Sequence, residues 1–420
     1  MWNAPIKIQD TLFKNVEKKL FLIKNCLQSK YLKLSDLERN KLISKSISPL
    51  TGYIGEILFL FNYSKFKNDD SLYFFAINEV QKSIDLLNKN KFLNFGQGLS
   101  GFLWFLSYLK KQNFIEEYDK TLEKKIIEYS FSISSTQLRN GFYDYLIGGL
   151  GVCITINELE RGSYFNEIDQ LLNCLISSQI NDDDDFIYWT YELEKNNPYK
   201  DKTVSFGLAH GLSSIIVILT NLYINGFSRK KCRLLLTKAM DFVYSKRQYN
   251  HKNSIYPSLF IPSNGNRISS NNDLGWCYGD LCISMSLLNC YKVTSNILYK
   301  NEAKSIIDFT LANFENNYKA IKNADFCHGL SGVAHMMNRF GNYFDSNEYF
   351  EKSKNLISEL LTKIKIENEV IIFFNSDEGN DKLWHNKSGV LDGISGIALT
   401  LLASISNEDP NWDKIVLTNL

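Results

Sequence analysis

The chain has 420 residues, 44% of them hydrophobic and 14% aromatic, and its 47 Lys plus Arg nearly cancel 46 Asp plus Glu to leave a formal net charge of +1. That is enough apolar material for a large packed interior. It excludes intrinsic disorder, which needs low hydrophobicity with high net charge, and non-specific nucleic-acid binding, which needs a basic excess.

No apolar run reaches the roughly 18 residues of a membrane-spanning helix. The start, MWNAPIKIQDTLFKNVEKKL, lacks the basic, apolar and small-residue succession of an export signal. The chain therefore reads as soluble and cytoplasmic. Its eight cysteines are scattered, which favours free thiols or metal ligands over a disulfide framework. Only six prolines interrupt it, as suits a chain made mostly of helices.

In chain order, one pattern recurs: a glycine, two or three residues, a small residue or second glycine, then an apolar run. It appears as TGYIGEILFLFNY from Thr51, GQGLSGFLWFLSYL from Gly96, GGLGVCITINEL from Gly148 and AHGLSSIIVILTNLY from Ala209. It continues as CYGDLCISMSLLNCY from Cys277, CHGLSGVAHMMNRF from Cys327 and LDGISGIALTLLAS from Leu391. Aligned on Gly52, Gly98, Gly148, Gly211, Gly279, Gly329 and Gly393, the seven copies stand 46, 50, 63, 68, 50 and 64 residues apart. Repeats of this size mark an array or a closed ring of supersecondary units.

Between the glycines lie amphipathic stretches. Ile77, Val80, Ile84 and Leu87, then Tyr118, Leu122, Ile126 and Tyr129, then Ile357, Leu360 and Ile364 follow helical spacing. The runs after the glycines are apolar nearly all round, as expected of enclosed helices. Each unit thus predicts one outer and one inner helix, and seven pairs make an α/α toroid spanning 1–420 as a single domain. The glycines begin the inner helices, where backbones approach closely. Two irregular insertions are expected near 181–202 and 248–272, and four consecutive aspartates in the first read as a solvated loop.

Two glycine loops carry cysteines at the helix junction: GWCYGD at 275–280 and CHG at 327–329. Equivalent positions of neighbouring units in a ring face the same space, so Cys277, Cys327 and His328 are candidates for convergence. Two thiolates and an imidazole suit zinc and leave a fourth tetrahedral position open. The other reading of these residues is small buried side chains at helix starts. Cys26, Cys153, Cys174, Cys232, Cys282 and Cys290 lie in apolar surroundings or lack a neighbouring histidine, and read as structural.

With GWCYGD and CHGLSG, the motifs SFGLAHG at 205–211, YDYLIGG at 143–149, SPLTGYIGEILF, LDGISGIALTLL and the closing Trp412–Asp413 make the sequence resemble the lanthionine synthetase C-like family, the lanthipeptide cyclases. The resemblance runs over essentially the whole chain and implies the toroid of seven inner and seven outer helices. It makes Cys277, Cys327 and His328 the ligands of one zinc ion. The implied reaction adds a peptide cysteine thiol to dehydroalanine or dehydrobutyrine and closes a thioether ring. A thiol with a pKa of about 8.5 is mostly protonated at neutral pH, which is the reason for metal activation. After attack at the β-carbon the enolate must be protonated at the α-carbon, which calls for a general acid.

By the same resemblance His210 supplies the acid or activates the thiol, and Asp144 orients it. Asp144 also reads as a helix N-cap. Tyr278 lines the site, through an enolate hydrogen bond or through packing. One departure stands out: several family members carry arginine four residues before the first zinc cysteine, where this chain has Asp273. Arg267, six residues earlier, is the nearest substitute. His335 lies two helical turns past the CHG loop and reads as a core histidine, whereas His251 and His385 read as solvated.

The implied partners are a leader-bearing dehydrated precursor peptide, a separate dehydratase, since the toroid takes all 420 residues, and an export transporter in a maturation complex. Attachment to a membrane would come only through that complex. Two alternatives stand beside this reading: a relative that adds glutathione to dehydrated proteins, and a non-catalytic scaffold in which zinc is structural. Toroidal zinc prenyltransferases include a carboxylate ligand, so the Cys, Cys, His set counts against them.

Overall fold

A computed structural model describes residues 2–160, 162–182, 184–190, 202–248, 254–268, 274–314, 321–376 and 383–420. His251, Asp273 and parts of both expected insertions lie outside the described residues. Contacts divide the chain into two compact units, one of Met1–Glu116, Ile321–Lys414 and Asn419, the other of Glu117–Ala320, Ile415–Thr418 and Leu420.

The first unit opens with helices α1 (Thr11–Lys33) and α2 (Asp36–Lys45), then α3 (Ile54–Lys67), α4 (Asp70–Ile84) and α5 (Leu99–Lys111). The second contains α6 (Lys120–Arg139), α7 (Gly151–Glu158), α8 (Phe165–Ser177), α9 (Leu212–Ile224), α10 (Arg229–Ser245), α11 (Asp280–Thr294) and α12 (Ile297–Ala312). The first unit then resumes with α13 (Leu330–Phe344), α14 (Asn347–Thr362) and α15 (Ile394–Ile405).

Helices α3, α5, α7, α9, α11, α13 and α15 follow the seven glycine motifs and are buried along nearly their whole length. The serines of α9 do not break it, because their hydroxyls find backbone carbonyls: Ser213 Oγ donates to Phe206 O at 2.6 Å and Ser214 Oγ to Gly211 O at 2.7 Å. Helices α1, α4, α6, α8, α10, α12 and α14 are half-exposed. Successive inner helices pack together within each unit: α7 on α9, α9 on α11 and α13 on α15. The last inner helix, α15, also packs on the first, α3. The chain is all-α with alternating outer and inner helices, as its repeat predicts.

Four outer helices, α4, α6, α12 and α14, start on side-chain caps at Asp69, Asp119, Asn296 and Ser346, each accepting from a first-turn amide, whereas α1, α8 and α10 have no such cap. Helices α5, α9, α11, α13 and α15 begin on glycine with no side-chain cap. Close approach explains this: a Cβ on Gly98 would stand 2.3 Å from Phe92 O, and one on Gly211 2.4 Å from Ser205 O. Only Gly279 among these adds a left-handed φ, +113°.

Three small antiparallel sheets interrupt the helices. β1 (Ile180–Asn181) pairs with β2 (Ile187–Tyr188), and β3 (Val204–Ser205) pairs with β4 (Leu259–Ile261), which pairs with β5 (Asn266–Ile268). The β1–β2 pair falls at the first expected insertion and β4–β5 within the second, while β3 lies just past the first. The third sheet, β6 (Ile364–Glu367), β7 (Val370–Phe374) and β8 (Trp384–His385), is not foreseen from the sequence. Ile364 therefore belongs to a strand rather than to the helical stripe of Ile357 and Leu360. The stripe on α6 also shifts: Ile126 is buried as expected, but Tyr129 is 64% exposed, and Ile127, Ser130 and Leu138 complete the inward face. His385 is buried rather than solvated, because β8 pairs with Phe373 in the sheet.

Candidate metal centre and acid–base pair

In the second unit, three successive glycine loops are joined by hydrogen bonds. The third carries Asp144, which is fully buried. Its Oδ1 accepts from Leu146 N at 2.7 Å and Ile147 N at 3.0 Å, closing a tight turn before Gly148. Its Oδ2 pairs with His210 Nδ1 in the fourth loop. Tyr143, beside Asp144, donates from its hydroxyl to His210 O at 3.4 Å.

The fourth loop in turn lies against the fifth. Ala209 N donates to Cys277 O at 3.4 Å, and a Cβ on Gly207 would stand 2.1 Å from that oxygen. Tyr278, half-exposed, has its ring centroid 6.4 Å from that of His210. Cys277 is buried. Trp276 beside it is fixed by Nε1 donating to Val416 O at 2.7 Å and by an edge-on contact with Tyr145.

Asp280, which opens α11, accepts from Ile255 N at 2.7 Å and Tyr256 N at 3.0 Å. With Phe206 N donating to Ser258 O at 3.1 Å, this ties the β4–β5 insertion to both the His210 and the Cys277 loops. Arg267 on β5 is exposed. Cys282 donates from Sγ to Gly279 O at 2.9 Å, and burial, with the nearby Cys277 and Asp280 charges, pushes its thiol far up. It is a packing residue.

In the first unit, Cys327 is half-buried and His328 exposed, at the head of α13. Cys327 Sγ and His328 Nε2 stand 3.8 Å apart. Two donors of a tetrahedral zinc, at about 2.3 Å for sulfur and 2.05 Å for nitrogen, are separated by about 3.6 Å, so this pair fits adjacent positions on that metal. Cys327 N and Phe326 N both donate to Leu391 O, at 2.8 and 3.0 Å. His328 N donates to Asp325 Oδ1 at 2.8 Å.

None of the eight cysteines forms a disulfide. Cys26, Cys153, Cys174, Cys232, Cys282 and Cys290 are all buried, as expected of structural thiols. His335 is buried, with Nε2 at 2.8 Å from Asp413 Oδ2 and Nδ1 without a hydrogen-bond partner. Arg339 grips the same carboxylate through Nε at 2.6 Å and Nη2 at 2.8 Å.

The model of the lanthionine synthetase C-like protein family matches residues 45–417. This chain belongs to the lanthionine synthetase C-like family. Nisin biosynthesis protein NisC of Lactococcus lactis subsp. lactis is 24% identical over 204 residues, 47% of this chain and 44% of that protein. The chain thus aligns with less than half the length of that curated relative. Among solved structures, nisin cyclase superposes with a TM-score of 0.70 at 19% identity, covering 96% of this chain and 97% of that one. The likeness shows the fold, the all-α toroid expected of this lanthionine synthetase C-like chain. Among the described residues, no helix is long and apolar enough to cross a membrane.

Asp280, Trp276 and Gly207 lie within the GWCYGD and SFGLAHG motifs but, like Asp325, receive no role of their own from the sequence; in the structure they support the site. A signal exists for Asp325: it stands four residues before its loop glycine, as Asp144 does, and closes the same kind of turn. Asn94 does so too, accepting from Gln97 N at 2.8 Å before Gly98.

Proposed function

We propose that this lanthionine synthetase C-like chain is a lanthipeptide cyclase, acting over its whole length as one catalytic domain. It adds cysteine thiols of a dehydrated precursor peptide to dehydroalanine or dehydrobutyrine and closes (methyl)lanthionine rings. The observation that carries the reading is the His210–Asp144 pair joined by its backbone to the loop of Cys277.

Cys277, Cys327 and His328 are the residues that would hold zinc, and the spacing of the last two supports it. Zinc bound there supplies deprotonation of an incoming thiol and holds it as a thiolate. The protein groups do the rest. As the C–S bond forms at the β-carbon, the π pair of the alkene moves to the α-carbon as an enolate. A carboxylate only accepts hydrogen bonds, so Asp144 holds the proton of His210 on Nδ1 and leaves Nε2 turned away from it. The proton given up by the thiol is then carried on Nε2 as an imidazolium paired with Asp144, and is delivered from there to the α-carbon, which returns the imidazole to neutral. Tyr278 walls the space beside His210.

The precursor carries a leader, a separate dehydratase supplies the alkene, and an export transporter completes the complex. The test is cyclisation of a dehydrated, cysteine-containing peptide by the purified, zinc-loaded chain. Ring closure leaves mass unchanged but consumes thiols, so maleimide adducts disappear as the reaction proceeds. Loss of adducts with wild type but not with His210→Ala supports the reading. Glutathione addition without ring closure would favour the protein-modifying relatives, and inactivity with zinc bound would favour the scaffold.

A further inference from the structure

We propose that Asp325 and Asn375 are a positioning pair that sets the Cys327–His328 loop for metal binding, an inference that rests on the zinc reading above. Asp325 is two residues before Cys327 and only 1% exposed. Its two oxygens have separate partners: Oδ1 accepts from His328 N at 2.8 Å and Oδ2 from Asn375 Nδ2 at 2.9 Å. Asn375 is buried at the end of β7, and its own amide donates to Leu383 O at 2.9 Å.

Neighbouring bonds run parallel to this one. Ala324 N donates to Phe374 O at 2.9 Å. Asn323 Oδ1 accepts from Ser376 N at 2.8 Å and Ser376 Oγ at 3.0 Å. Three consecutive residues before the ligand pair, 323–325, are thus laced to three consecutive residues, 374–376, at the end of β7 and just past it. On the other side Leu391 O takes both Phe326 N and Cys327 N. The loop is held from two directions, and the charged member of the lacing is Asp325.

A comparison inside the repeat gives the role its content. Asp144 closes its turn with Oδ1 and spends Oδ2 on the ring of His210. Asp325 closes the equivalent turn with Oδ1 and spends Oδ2 on the sheet. Asn94 shows that the turn alone needs no charge. The carboxylate at Asp325 is therefore needed for its second partner, and the β6–β7–β8 sheet acts as a brace for the ligand loop. Partners that orient metal ligands change metal affinity about 10–100-fold when removed.

The experiment measures zinc affinity of the full chain by competition with a chromophoric chelator, alongside the visible spectrum of the cobalt-loaded protein and melting in EDTA. The variants are Asp325→Ala, Asn375→Asp and the exchange Asp325→Asn with Asn375→Asp. The first leaves His328 N and the Asn375 amide without their acceptor, and the second sets two carboxylates face to face. Each should weaken zinc about 10–100-fold and alter the cobalt spectrum. The exchange restores one donor opposite one carboxylate and should recover affinity to within a few-fold of wild type. Wild-type affinity in both single variants, or a lower melting point in EDTA with unchanged affinity, would overturn the positioning role alone. A wild type that binds no zinc would overturn the metal reading and this inference with it.

Discussion

Asp144 holds the ring of His210 with one carboxylate oxygen while its other oxygen closes the turn that carries it. The structural and the chemical readings of this residue are both met, by different atoms, and that separation makes them testable apart. Asp144→Asn keeps an oxygen for the turn but presents an amide to His210, reversing the tautomer. The fold should persist while cyclisation falls by about 10²–10⁴, the range for a misplaced general acid. Asp144→Ala removes both roles and should cost a further ~1–3 kcal/mol of stability, since the buried Leu146 amide and the part-buried Ile147 amide lose their acceptor. Thiol-loss kinetics and urea melts separate the two effects.

Gly207 stands where the His210 and Cys277 loops touch. A methyl group there would meet Cys277 O at 2.1 Å and the Tyr278 ring at 2.8 Å. A backbone oxygen cannot swing aside as a side chain can, so Gly207→Ala must part the two loops. Overpacking of this kind costs about 1–3 kcal/mol. Zinc binding and cyclisation should both weaken in a protein that still unfolds cooperatively, as chelator competition and melting would report.

Much of this architecture was legible in the sequence, for an identifiable reason. The glycines recur because a Cβ at Gly98 or Gly211 would strike a carbonyl six residues earlier, so packing wrote a visible mark. The cysteine and histidine candidates stood out because they interrupt that mark. The third sheet was missed although IKIE and VIIFF flank a two-residue connection whose residues, Asn368 and Glu369, both have positive φ. Asn-Glu is a weaker hairpin signal than Asn-Gly, and Ile364 happened to continue the helical spacing. His385 read as solvated because its neighbours in sequence are polar, whereas strand pairing decides its burial. The spacing of Asp325 before its glycine marks the turn, but not the second partner, because Asn375 is 50 residues away.

Burial also governs the structural thiols and phenols. It pushes Cys153 and Cys232 from 9.0 up to about 12, and Tyr53 and Tyr63 from 10.0 up to about 12. Unfolded thiols and phenols release protons that the folded ones keep, so the folded state is fully favoured below pH 9 and loses ground as pH rises toward 12. Urea melts from pH 8 to 11 should show a steady fall in stability. Tyrosinate absorbance should rise together with unfolding rather than before it for these buried rings.

The buried His335–Asp413–Arg339 cluster sets the acid limb. Burial holds His335 below its ordinary value, so the unfolded chain takes up a proton near pH 6.5 that the folded chain refuses. Stability is then present above pH 6.5 and declines below it by up to about 1.4 kcal/mol per pH unit for that one proton. Burial would raise Asp413, but the Arg339 charge and the His335 bond outweigh it and hold its carboxyl low. Its share is present above about pH 4 and is lost at lower pH. His335→Gln, which cannot titrate, should flatten the decline between pH 6.5 and 5. Asp413→Ala should destabilise by about 3–5 kcal/mol near neutral pH, by leaving the buried Arg339 with only the half-exposed Asp409 as its counter-charge.

The central claim is a zinc ion held by Cys277, Cys327 and His328, and elemental analysis tests it most directly. Purified wild type should carry one zinc per chain, and Cys277→Ala, Cys327→Ala and His328→Ala should each lose it while remaining folded. Full zinc retention in the three variants, or a wild type without zinc, would contradict the account and leave a peptide-binding scaffold as the better description.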